Sequence, residues 1–131
     1  MAIIMLVEDA PDTRDLFKMV LEMSGHEIEL AESGEMCLAK LETIKPDVIL
    51  MDISLPGKLS GLDVVEKLRA DRSYNKTPII ALTAHAMEND RILSLAAGCD
   101  EHISKPVFDL GTFAAVVTKY AEQGRNVLQN R

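Results

Sequence analysis

The chain has 131 residues, 47% of them hydrophobic and 27% charged, with 14 basic side chains against 21 acidic ones. That length suits one domain with an adequate core, and the net charge of −7 leaves no basic excess to displace counterions from nucleic acid or to dock on an anionic membrane. The longest apolar run, Met1–Val7, is too short to span a bilayer and lacks the basic leader of a secretory signal.

Along the chain, short apolar runs alternate with helical periodicities. A strand at Ile3–Val7 is followed by a helix from Asp12 to Ser24, with Leu16, Met19, Val20 and Met23 on one face and Gly25 as its stop. His26, next in line, reads as a surface residue. A weaker strand spans Glu27–Ala31. Ser33 then caps a helix that uses Leu38, Leu41 and Ile44 and ends before Pro46. A strand at Val48–Met51 leads into a helix from Ser60 to Arg72 built on Leu62, Val65 and Leu68. After a strand at Ile79–Leu82, a helix from His85 to Ala97 presents Ile92, Leu93 and Leu95, and Gly98 stops it. A weak strand at His102–Ser104 precedes the last helix, with Phe113, Val116, Val117 and Tyr120. Cys37 and Cys99 are too few for a disulfide framework; they read as small buried apolar groups in a reducing compartment, and the expected location is cytoplasmic.

Near-continuous apolarity in the strands, rather than alternation, is what a sheet covered on both faces requires. Five strand–helix units are too few for an eight-fold barrel, which needs about 250 residues. The expected fold is therefore α/β, an open doubly wound parallel sheet, with chemistry at the carboxyl ends of the strands.

Those ends carry Glu8 and Asp9, then Asp52, then Thr83, then Lys105 with Pro106. If the first and third strands are neighbours, three carboxylates crowd together. Two like charges about 4 Å apart repel by roughly 4 kcal/mol at an effective dielectric of ~20. Lys105 alone cannot offset the cluster. A hard divalent cation such as Mg²⁺ can, and its oxygen shell leaves room for a phosphoryl group.

The stretches Leu6-Val7-Glu8-Asp9, Leu50-Met51-Asp52-Ile53-Ser54-Leu55-Pro56, Ala81-Leu82-Thr83-Ala84 and Ser104-Lys105-Pro106 resemble, in order and spacing, the receiver domain of two-component response regulators. The resemblance covers about residues 2 to 122. It implies a flavodoxin-like five-stranded parallel sheet of order 2-1-3-4-5, with a receiver domain over 1–122 and a short polar tail over 123–131.

By position, the resemblance makes Asp52 the phosphoacceptor. Glu8, Asp9, Asp52 and the backbone carbonyl of Ser54 become the Mg²⁺ ligands, and Thr83 and Lys105 the phosphoryl-binding partners. The Lys105–Pro106 bond is then expected to be cis. Thr83 would swing inward in the activated state, coupled to His102, which occupies the family's aromatic position three residues before the lysine. His85, two residues beyond Thr83, and Ser54 would set the lifetime of the aspartyl phosphate.

The implied function is a phospho-accepting signalling switch, not an enzyme with an outside substrate. Its partners would be a sensor histidine kinase or histidine phosphotransfer protein, and a downstream protein reading the face of the fourth helix, fifth strand and fifth helix. No nucleic-acid or membrane partner is expected. Ala121–Arg131 is too short for an output domain, and the opening Met favours a stand-alone receiver over a fragment of a hybrid kinase or larger regulator. An Asp-nucleophile phosphatase fits less well, because Ser54 stands two residues after Asp52 where that class has its acid. A flavin carrier lacks its phosphate-cradling loop at Asp9-Ala10-Pro11. One departure from the receiver pattern stands out. Four residues, Gly57 to Ser60, separate Pro56 from Gly61, where the family usually has three.

Overall fold

The five apolar runs pair side by side because each presents one set of alternate side chains to helices above the sheet and the other set to helices below. The computed structural model describes residues 2–84 and 88–125. Its strands are β1 (Ile3–Val7), β2 (Glu27–Ala31), β3 (Val48–Asp52), β4 (Ile79–Thr83) and β5 (Glu101–Ser104). The helices are α1 (Pro11–Met23), α2 (Gly34–Leu41), α3 (Gly61–Arg69), α4 (Glu88–Ala97) and α5 (Leu110–Gln123). All strand pairs are parallel and the order is β2-β1-β3-β4-β5. The flavodoxin-like architecture implied by the resemblance is the one observed.

Strand alternation divides the apolar residues into two cores. Met5, Val7, Ile49, Met51, Ile79 and Ala81 pack with Cys37, Leu41, Val64, Val65 and Leu68 of α2 and α3. Ile4, Leu6, Val48, Leu50, Ile80 and Leu82 pack with Phe17, Leu21, Phe113, Ala114 and Val117 of α1 and α5. Both cysteines are buried and unbonded, and burial pushes each thiol up to about 12.

Three details correct the sequence reading. In α1 most of the expected inward face is turned outward: Phe17 and Leu21 are buried, Met19 is 52% and Met23 80% exposed, and Val20 alone of the expected set packs against the core. Two apolar stripes overlap on this helix. Phe17, whose ring centroid lies 4.5 Å from that of Phe113, decides which one faces the sheet. In α4, Ile92, Leu93 and Leu95 are exposed and the fully buried residue is the small Ser94, whose hydroxyl donates to the Asp90 carbonyl. His26 is buried rather than on the surface. Its Nδ1 accepts the Ala2 N–H at 3.3 Å, which leaves Nε2 to donate to Thr118 Oγ1 at 2.8 Å.

α2 also ends at Leu41, short of the approach to Pro46, although Ile44 still packs against the core. Opposite the carboxyl edge, Asp100 joins several elements. It accepts from Arg69 Nη2 and the Ile79 N–H through Oδ2, both at 2.9 Å, and from Arg125 Nε through Oδ1 at 2.6 Å. Arg125, from the segment read as tail, is thereby tied to the sheet.

Candidate functional site

β1 and β3 are adjacent, so the residues that follow or end them meet at one edge. Val7 pairs with Met51, and Asp52 pairs with Leu82 of β4 one step further on. Thr83 is paired with Ser104, immediately before Lys105. The Lys105 N–H donates to the Thr83 carbonyl at 2.6 Å, and the Lys105–Pro106 peptide bond is cis.

Glu8 has no exposed surface. Its carboxylate accepts from the Ala10 N–H through Oε2 at 3.2 Å and from Lys105 Nζ through Oε1 at 2.8 Å. Asp52, also buried, accepts from the Ser54 N–H through Oδ1 at 2.9 Å and from Lys105 Nζ through Oδ2 at 3.3 Å. Asp9 is exposed, on the solvent side of the pair. One carboxylate oxygen from each of Glu8, Asp9 and Asp52 lies within 4.8 Å of the other two.

The electrostatics follow from this crowding. Burial pushes the Asp52 carboxyl up to about 7, helped by a hydrogen bond and charge repulsion from Glu8 and opposed by the Ser54 N–H and the Lys105 ammonium. Burial disfavours the Lys105 charge, but the hydrogen bond to Glu8 and the charges of Asp52 and Glu8 outweigh it, so its net shift is upward. One ammonium thus serves two buried carboxylates, with a third beside them. An all-oxygen donor set carrying surplus negative charge fits a hard divalent cation of the Mg²⁺ type.

Of the other residues singled out from the sequence, Thr83 is fully buried at the end of β4. Ser54 has an exposed side chain, and its backbone N–H is turned to Asp52. His102 is half-buried on β5 beside Ala81, with its Nε2 buried and unpartnered among the described residues. His85 lies outside the described residues.

Two neighbours escaped the sequence reading. Arg14 of α1 reaches back so that Nη1 donates to the Glu8 carbonyl at 3.5 Å, and it pairs with Glu32 at 3.8 Å. Gly61 opens α3 directly against β3: its N–H donates to the Ile53 carbonyl at 3.2 Å, and a Cβ there would collide with the Asp52 carbonyl oxygen. The glycine beside the capping Ser60 was the available signal, because only glycine lets a helix start so close to a strand end.

The response regulator receiver domain family matches residues 4–118. This chain is a receiver domain of that family. The receiver is 40% identical over 104 residues to the polar-differentiation response regulator DivK of Brucella ovis, covering 79% of this chain and 84% of that protein. It is 36% identical over 103 residues to the transcriptional regulatory protein TrcR of Mycobacterium tuberculosis, again covering 79% of this chain but only 39% of that longer protein. Among solved structures it superposes, with a TM-score of 0.83, 31% identity and coverage of 93% and 98%, on the receiver domain of sensor histidine kinase PA1611 from Pseudomonas aeruginosa, determined with a magnesium ion in its active site cleft. The receiver is thus a two-component signalling module, and the phosphatase and flavin-carrier readings give way. No helix among its described residues is long and apolar enough to cross a membrane.

Proposed function

We propose that this receiver accepts a phosphoryl group on Asp52 from a phosphohistidine of a sensor kinase or phosphotransfer protein. The observation that carries the reading is the convergence of Glu8, Asp9 and Asp52 oxygens within 4.8 Å, with Lys105 Nζ bonded to the two buried carboxylates.

In the proposed transfer, an Asp52 oxygen forms the new bond to phosphorus while the bond from phosphorus to the donor's imidazole nitrogen breaks. The leaving electron pair stays on that nitrogen. Such transfers depend mainly on positioning and charge stabilisation. The Ser54 N–H orients Asp52. Lys105 turns from Asp52 to the phosphoryl oxygens while Glu8 keeps its charge close by. Thr83, at the adjacent strand end, donates its hydroxyl to a phosphoryl oxygen. Glu8, Asp9, Asp52 and the Ser54 carbonyl would hold Mg²⁺, which when bound supplies positive charge against the carboxylates and the transferred group. Hydrolysis by water, with breakage of the Asp52–phosphorus bond, returns the carboxylate and releases inorganic phosphate. Ser54 and His85 set its rate.

The added charge draws Thr83 inward and lets His102, whose Nε2 has no partner to lose among the described residues, move with it. The population of the face made by α4, β5 and α5 then shifts, and a downstream protein reads it. The switch is the receiver domain, with Gln123 still in α5 and Arg125 bonded to Asp100. The decisive experiment is incubation with Mg²⁺ and a small phosphodonor, followed by intact-mass measurement: a phosphate-sized gain in the wild type and none in Asp52→Asn is expected. No gain in the wild type would refute the reading. For the switch, His102→Tyr should change partner affinity with and without phosphorylation; unchanged affinity in both states would remove His102 from it.

A further inference from the structure

The loop between β3 and α3 is one residue longer than the family pattern, and the structure gives it an anchor outside the motif residues. At its start the Ser54 N–H donates to Asp52 Oδ1 at 2.9 Å. At its end Gly61 sits against the backbone of Asp52 and Ile53. Both ends therefore bear on Asp52. The middle is caught by α2. Glu35, in the first turn of that helix, accepts the Lys58 N–H through Oε2 at 3.1 Å, across 23 positions of sequence. Gly57, with φ +91°, makes room for it: a Cβ at Gly57 would stand 2.9 Å from Glu35 Oε1. The residue before Glu35 completes the seat. Gly34 lacks the side chain that would collide with Val64 Cγ2 and lie 3.2 Å from Leu59 Cβ, so the start of α2 rests directly on the loop and on α3.

We propose that Glu35 is a positioning residue for the Asp52 site: it takes up the slack of the lengthened loop, so that Ser54 stays in place to orient Asp52 and to face the cation. The proposal rests on the function proposed above and adds a residue outside the family motifs to it. The acceptor oxygen carries the effect, not the charge, because the bond is to a backbone N–H. Glutamine in its place retains an acceptor and alanine does not.

The experiment follows the amide signals of Ser54 and Lys58 in the intact chain during Mg²⁺ addition, for wild type, Glu35→Ala and Glu35→Gln, with the thermal midpoint and the rate of Asp52 phosphorylation measured on the same samples. In Glu35→Ala the Lys58 amide should exchange faster, and the Mg²⁺ concentration at half-saturation should rise about three- to tenfold, the net weight of one hydrogen bond, with the thermal midpoint lowered by at most a few degrees. Glu35→Gln should stay within about twofold of wild type, since its amide oxygen still accepts. A wild-type Mg²⁺ response in Glu35→Ala, or equal losses in the two variants, would overturn the proposal. If the wild type takes no phosphoryl group, the functional reading fails while the Mg²⁺ response still decides the role of Glu35. A wild type whose Ser54 amide ignores Mg²⁺ overturns the role given to Glu35, and the phosphorylation measurement still decides the functional reading.

Discussion

Lys105 Nζ lies 2.8 Å from Oε1 of Glu8, a carboxylate with no contact with solvent. A buried charge left alone is costly, so the pair is asymmetric: Glu8 needs Lys105 for stability, and at Asp52 the proposed transfer would draw on it. Lys105→Ala should lower stability by about 3 kcal/mol, because it strands a desolvated carboxylate. Adding Glu8→Gln should restore part of that loss. Urea midpoints at a constant m-value measure both, and a Lys105→Ala midpoint equal to wild type would contradict the pairing.

The rotation of α1 has a direct consequence. Leu21 is fully buried and Met23 is 80% exposed, the reverse of the simplest amphipathic assignment. Leu21→Ala should cost about 2–5 kcal/mol, through lost transfer energy and the cavity left behind. Met23→Lys should stay within about 0.5 kcal/mol of wild type, as substitutions away from special features do. Comparable losses in the two variants would place the helix in a different rotation.

Asp100 carries two arginines at the edge opposite the acidic cluster. Its side chain and that of Arg69 are nearly buried, and Arg125 is more exposed. Asp100→Ala should therefore cost about 3–5 kcal/mol, since two guanidinium groups lose their shared partner. Arg125→Ala should cost about 1 kcal/mol, the scale of a single partly solvated hydrogen bond. Thermal unfolding of both variants separates these values; a larger effect at Arg125 would mean that the last residues of the described chain hold more of the fold than the network indicates.

The cysteines give a chemical readout of packing. With both thiols pushed up to about 12 by burial, almost no thiolate exists at pH 8, and the sulfurs are out of reach as well. Alkylation at pH 8 should label neither Cys37 nor Cys99 in the native protein and both in denaturant. Rapid native labelling of either one would show that its core opens locally.

Much of this architecture was legible beforehand, and the reasons are physical. The runs at Ile3–Val7, Val48–Met51 and Ile79–Leu82 are apolar on both faces, which only a sheet covered twice tolerates, and the helices between them were long enough to supply the cover. The candidate site was legible because its residues stand at strand ends, where topology alone brings them together. What stayed hidden depends on contacts between distant elements. The choice between the two stripes of α1 is made by Phe17 against Phe113, nearly a hundred positions apart. His26 is buried because Ala2 and Thr118 close over it, and Glu35 reaches Lys58 from another helix. Periodicity counts residues along one element and carries no information about these meetings. In α4 Ile92, Leu93 and Leu95 face outward and Ser94 faces inward, so periodicity misassigned its buried side.

The claim at the centre is that Asp52 itself receives the phosphoryl group, within the pocket it shares with Glu8, Asp9 and Lys105. Reducing the phosphorylated protein with borohydride converts an aspartyl phosphate to homoserine, which peptide sequencing by mass spectrometry locates. Homoserine at position 52, formed only when Mg²⁺ accompanied the phosphodonor, is the predicted result. Homoserine at another acidic residue, or formation at 52 that is indifferent to Mg²⁺, would contradict it.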